Sequence, residues 1–316
     1  MLRLALLAAL LLTPTLASAQ GFPSGTVRIV VPYAAGGGTD TIARLIGQRL
    51  NELWKQPVII DNRGGANGMI GTDMVAKAKP DGLTLGLVIA TQAINPSMYK
   101  KLPYSEADFA PVTLLAEYPF IMVVTPSFPP KTAEEFIALA KARPGTITFA
   151  SSGIGSGPHL GVELLKQRAG IDLVHVPYKG AGPASTDLIA GHVNMFFNNL
   201  LASAQMISSG QLRALAVTSS QRWPTLPNVP TMEEAGMPDF VTSIWFGVMA
   251  PAGTPREIVD KLSRAAIEAA KSPEVIAAWR PQGIDPQIAG PDDFGRFVVK
   301  EMARWSEVAS AAGLKK

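Results

Sequence analysis

The 316-residue chain contains no cysteine. That excludes a disulfide framework, a thiolate metal site and a cysteine-linked lipid anchor together. Histidine is nearly as scarce: His159, His175 and His192 are dispersed, and no H-E-x-x-H pairs them for a metal. Charged residues make up only 17% of the chain. No lysine or arginine run interleaved with aromatics occurs, which argues against nucleic acid as a partner. The net charge of +3 is the small excess of 28 bases over 25 acids, not a basic patch. What the chain does have is 29 glycines and 26 prolines, a composition suited to an α/β protein with many strand-to-helix turns.

One apolar run is present, at the start. Met1-Leu2-Arg3, the stretch Leu4 to Leu12 and Ala17-Ser18-Ala19 have the charged, greasy and small-residue parts of a secretory signal peptide over residues 1–19. It is too short and wrongly flanked to remain as a membrane anchor. Cleavage after Ala19 leaves Gln20 first and lowers the formal charge to +2, by loss of Arg3 from +3. A soluble, periplasmic mature protein is expected.

The mature chain is organised around Val31-Pro32-Tyr33-Ala34-Ala35-Gly36-Gly37-Gly38-Thr39-Asp40. An apolar strand (Thr26 to Val31) precedes it. Ile42, Leu45, Ile46 and Leu50 follow at helical spacing. Strand, glycine loop and helix start together present free backbone N–H groups and a helix dipole to an anion. Thr39 or Asp40 is the expected helix cap. A tight turn with no ligand reads equally well on this stretch alone. Further strands at Pro57 to Ile60 and Leu83 to Ala90 lead into Asp61 to Gly68 and Thr91-Gln92, and ligands gather beyond such carboxyl ends. A second series holds the strand Thr146 to Ala150 and the turn Ser151-Ser152-Gly153-Ile154-Gly155-Ser156-Gly157-Pro158-His159, then the helix Leu160 to Ala169. Val176-Pro177-Tyr178 echoes Val31-Pro32-Tyr33. Tyr118 to Thr125 reads as a strand leaving the first lobe and Thr242 to Pro251 as one returning. Residues 20–124 and 245–316 then form lobe 1 and 125–244 lobe 2, hinged about a cleft.

Chemistry in this cleft is expected to be capture of an anion. Ser152 and Ser156 lack the G-x-S-x-G spacing of a nucleophile elbow, which leaves a hydrolase using either one with His159 as the weaker alternative. No phosphate-loop or full dinucleotide fingerprint occurs, so no cofactor is expected. The candidate ligand-binding residues are Tyr33, Ala35, Gly36, Gly37, Thr39, Asp40, Asn67, Thr91, Gln92, Ser151, Ser152, Ser156, His159, Tyr178, Gly180 and Asn198. His159 reads either as a donor to a carboxylate or as a buried ring satisfied by backbone; Tyr33 and Tyr178 either wall the pocket or pack.

Taken in order, VPYAAGGGTDTIARLI, DNRGGANGMIG, FASSGIGSGPHLGVELL, VPYKGAGPASTDLIAGHVNMFF, LRALAVTS with PTLPNVPTMEEAG, and WFGVMAPAGTP span nearly all of the mature chain. Together they resemble the substrate-binding proteins of tripartite tricarboxylate transporters, the Bordetella uptake gene or TctC-like family. The resemblance implies an α/β, two-lobed type II periplasmic-binding-protein fold, no catalysis, and delivery of a small carboxylate to a membrane permease, or display of it to a sensor kinase instead. It also implies a monomer that holds its ligand by amides, hydroxyls and waters from the loops matching Tyr33 to Asp40 and Ser151 to His159. The chain departs from the Asp-Asn usual after the Met-Phe strand and has Asn198-Asn199. A non-amino acid ligand is therefore expected: a di- or tricarboxylate, or an aromatic acid.

Overall fold

A computed structural model describes residues 22–36, 38–280 and 284–314. The expected signal peptide lies outside the described residues. In chain order the elements are β1 (Val27–Val31), α1 (Gly38–Trp54), β2 (Val58–Asn62), α2 (Met69–Ala76), β3 (Thr84–Ile89), α3 (Thr91–Met98) and β4 (Phe109–Val124). Next come α4 (Ala133–Ala142), β5 (Thr148–Ser151), α5 (Gly157–Ala169), β6 (Val174–Pro177), α6 (Ala181–Ile189), β7 (Met195–Asn199), α7 (Leu200–Ser208) and β8 (Arg213–Val217). The chain closes with β9 (Ser243–Pro251), α8 (Arg256–Ala270), α9 (Pro273–Trp279), β10 (Asp285–Ala289) and α10 (Pro291–Ala311).

The strands hydrogen-bond in the order β2-β1-β3-β9-β4-β7-β5-β6, with β8 and β10 also on β4. β1 runs parallel to β2 and β3, and β5 parallel to β6 and β7. These are the βαβ series expected from the alternation of apolar strands and amphipathic helices. Val27, Ile29, Val30 and Val31 are buried, as a strand covered by helices on both faces requires.

β4 joins the two series. Phe109 to Pro119 pair with β9, and Phe120 to Val124 pair with β7. The partners change at Pro119, which has no N–H to give to a ladder. The next amide, Phe120 N–H, donates instead to the hydroxyl of Thr218 at 2.9 Å. That buried hydroxyl reaches the carbonyl of Thr242 at 2.5 Å, one residue before β9 begins. Thr218 thus ties together the two strands that cross between the series. α10 covers the junction: Phe294, Val298 and Trp305 are buried on one stripe at helical spacing, Met302 packs partly buried beside them, and Trp305 Nε1 donates to Glu301 at 2.9 Å.

Several local expectations change. Asp61 and Asn62 belong to β2, and β4 begins at Phe109. Thr132 caps α4, accepting from Glu135 N–H. Thr254 does not cap α8; its hydroxyl turns back to the Pro251 carbonyl at 2.7 Å. In α1 the helix begins at Gly38, ahead of both residues expected to cap it.

Candidate functional site

The first turn is closed by the chain's own carboxylate. Gly36 N–H donates to Asp40 Oδ2 at 2.8 Å, and Arg44 Nε donates to the same oxygen at 3.0 Å. The Arg44 guanidinium holds this buried carboxyl below its ordinary range. The turn is also braced from β2, where Asn62 Nδ2 donates to the Tyr33 carbonyl at 3.1 Å. A negative charge at the start of α1 complements the helix dipole, so an external anion meets a site already partly neutralised.

The second turn differs. No acidic residue lies in the first turn of α5, and its cap is neutral: Ser156 Oγ accepts from His159 N–H. Gly157 N–H opens the helix with no acceptor available within it, and Pro158 follows. Gly153 and Gly155 adopt φ of 139° and 78°, values that side-chain-bearing residues avoid, so this path needs glycine. Ser152 and Ser156 are half-buried at its rim.

The two turns meet. A Cβ built on Gly155 would lie 3.6 Å from Asn67 Nδ2 and 3.5 Å from Met98 on α3. Asn67 is held in a left-handed conformation (φ 54°), with its amide on Asn95 Oδ1 at 2.9 Å. Asn95 returns a bond to the Asn67 carbonyl at 3.1 Å. The Tyr33 hydroxyl bonds to Thr91 Oγ1, and it also lies beside Gly68. On the strand floor Asn199 Nδ2 donates to the Tyr118 hydroxyl at 2.9 Å, and Tyr118 reaches towards Gly38. Burial keeps the Tyr33 and Tyr118 phenols protonated by raising their pKa.

Tyr33, Thr91 and Asn67 are thus linked to the loop that meets Gly155, and Ser152 and Ser156 flank Gly155 in the second turn. Ala35, Gly36 and Thr39 lie in the first turn, and Gly37 lies outside the described residues. Other candidates stand behind these turns. Ser151 is fully buried; its hydroxyl contacts the Gly153 backbone and His175 Nε2, the latter at 2.6 Å. Asn198, also fully buried, donates to Ser185 at 3.1 Å and accepts from Asn199 N–H. Gln92 is buried and donates to Glu106 at 3.2 Å, whose carboxyl burial pushes up to about 7. His159 is buried with Nδ1 accepting from Gly155 N–H at 3.1 Å. Tyr178 borders Gly153 through its carbonyl, while its hydroxyl donates to Asp187 at 2.7 Å. Desolvation, then that carboxylate, pushes the Tyr178 phenol up to about 12. Gly180 precedes α6 and leaves open space beside it.

Tyr118, Asn95 and Asn199 are additions. Neighbouring strand residues face opposite ways, so of Asn198 and Asn199 only one can point to a given face. That alternation was the available signal for Asn199. Tyr118 and Asn95 sit in runs that read as packing, with no local signal. The serine paired with a histidine side chain is Ser151, buried beyond reach of a substrate carbonyl, so the geometry offers no exposed Ser–His nucleophile there.

The model of the tripartite tricarboxylate transporter family receptor matches residues 42–314. BugT of Bordetella pertussis is 41% identical over 301 residues, spanning 94% of this chain and 92% of that protein. An R. palustris protein solved with adipate is 40% identical with a TM-score of 0.81, covering 92% of this chain and 98% of its own. MatC of Rhodopseudomonas palustris, solved with bound malate, is 34% identical with a TM-score of 0.78, covering 91% and 99%. The α/β periplasmic-binding-protein fold is shared with these structures.

Proposed function

The chain belongs to the tripartite tricarboxylate transporter receptor family, solute-binding proteins and not enzymes, and on that premise we propose that it captures an aliphatic dicarboxylate in the periplasm and delivers it to a membrane permease. The observation that carries the reading is the start of α5: a helix N-terminus with neutral caps and no acid in its first turn, set against Asn67 across the junction. Such a terminus attracts a carboxylate through its N–H groups and dipole without a cationic side chain. Tyr33, Thr91, Ser152, Ser156 and Asn199 are assigned to line the site around it with neutral polar groups.

The second carboxylate of the ligand is assigned to the side of Tyr33 and Tyr118. An amino acid fits less well, because the nearby carboxylates are engaged: Asp40 with Arg44, and Asp187 with Tyr178. The relatives solved with adipate and malate support a dicarboxylate; Asn198, turned into the core, bears on neither ligand class. Residues 20–124 with 245–316 and residues 125–244 serve as the two lobes that close on it, in a monomer. Among the described residues no helix is long and apolar enough to cross a membrane, which agrees with a receptor working beside its permease.

A thermal-shift screen of the chain from Gln20 onward, followed by calorimetry, tests this. A ligand that binds only the folded state raises Tm with the logarithm of its excess over Kd. Adipate, malate or a related dicarboxylate is expected to give the largest shift. Tight binding of glutamate or aspartate with all simple dicarboxylates silent would overturn the assignment.

A further inference from the structure

His159 and His175 lie in a cluster that the proposed capture of the acid does not itself use. Their rings stack with centroids 3.9 Å apart and an interplanar angle of 15°. Phe149 of β5 extends the stack, 4.8 Å from His175. The ring stack thus joins β5, β6 and α5, the three elements around the second turn.

Each imidazole holds one side of that turn. His159 Nδ1 accepts from Gly155 N–H at 3.1 Å, which places its own proton on Nε2, the atom 4.0 Å from Glu163 Oε1. His175 Nε2 bonds Ser151 Oγ at 2.6 Å, and Ser151 Oγ in turn accepts from Gly153 N–H at 3.2 Å. Between these anchors run Gly153, Gly155 and Gly157, a backbone with little stiffness of its own. Free, it would sample many conformations, and fixing it on binding would cost affinity.

We propose that His159 and His175 are positioning residues for the ligand: they hold the backbone of residues 151–157 in the anion-accepting conformation, through Gly155 N–H and through Ser151, without touching the acid. The inference rests on the proposed capture at α5 and deepens it. Burial, then the facing His175 ring and Lys166, push His159 down to about 3, and burial with Lys166 pushes His175 to about 4. The rings therefore stay neutral, and Nδ1 of His159 keeps the lone pair that Gly155 needs. Glu163 and Lys166, themselves 3.1 Å apart, are the charged groups of α5 that face His159, and Asp172 lies 4.0 Å from Lys166.

Two substitutions at one position separate positioning from packing. His159→Phe keeps an aromatic ring for the stack and removes the acceptor. His159→Asn gives up the ring and presents an amide oxygen near the place of Nδ1. Calorimetry with adipate and malate is expected to show affinity falling roughly tenfold in His159→Phe, the size of one lost hydrogen bond, and largely retained in His159→Asn. Hydrogen exchange at the Gly155 amide, read without ligand, should be fast in His159→Phe and slow in wild type and His159→Asn. A folded His159→Phe that binds as tightly as wild type overturns the proposal while leaving capture of the acid intact. Affinity that follows Tm across both variants, with Asn the weaker binder, also overturns it in favour of packing. Wild-type protein that takes up no acid at all overturns capture, and positioning with it.

Discussion

At the scale of single residues, the buried histidines set a pH dependence with a definite sign. In the unfolded chain they take protons from about 6.5 downward, whereas in the folded protein they resist down to about 3 for His159 and about 4 for His175. Between these limits the unfolded state binds more protons, so this contribution to stability is complete above about 6.5 and declines as pH falls through the window. Glu106, raised to about 7, acts in the opposite sense, binding its proton earlier in the folded state. Glu117, raised by burial, does the same, while Asp40, held low by Arg44, acts with the histidines. Melting scans are expected to show Tm falling between about pH 6 and 4, with a shallower slope in His175→Gln, which lacks one of the two groups. An identical slope in the variant would mean that His175 titrates normally. None of this pairing was legible in the sequence, since His159 and His175 lie on different elements and meet only through β5–β6 pairing and the approach of α5.

At the scale of elements, the turns follow local rules closely. Ser156 precedes Gly157-Pro158 and caps α5, and Thr132 caps α4, because short hydroxyl side chains reach the first free amides of a helix. Asp40 departs from that pattern by accepting from Gly36 while sitting inside α1, which local propensity did not separate from capping. Thr218 carries the element-scale prediction. Its single hydroxyl accepts from Phe120 N–H and reaches the Thr242 carbonyl, and all three residues are buried. Thr218→Val preserves shape and removes both bonds, leaving a buried amide and carbonyl short of partners. A loss of about 1–3 kcal/mol is expected, read as a lower denaturation midpoint at unchanged slope, with Thr218→Ser close to wild type. A Val variant as stable as wild type would show that the tie contributes nothing.

For the whole molecule, the decisive feature is the exchange of partners along β4, from β9 to β7 at Pro119 and Phe120. Under the proposed two-lobed reading these crossing strands are where one series turns against the other, and residues of α5 and α10, among them Leu164, Arg168, Lys300 and Arg304, line a cavity of about 770 Å³. Closure on the acid is therefore expected to lower the radius of gyration in solution scattering when adipate or malate saturates the protein. A radius unchanged by a ligand that calorimetry shows to be bound would count against closure. The order of apolar strands and amphipathic helices already determined the α/β class, because burial periodicity is a local property of the chain. Glycine and serine at the strand ends likewise marked the strand-to-helix turns before α1 and α5. Tertiary structure alone decided which candidates face the junction. Ser151, Gln92 and Asn198 turn inward while Tyr118, Asn95 and Asn199 join it, since the direction of a side chain depends on strand pairing and on neighbours distant in sequence.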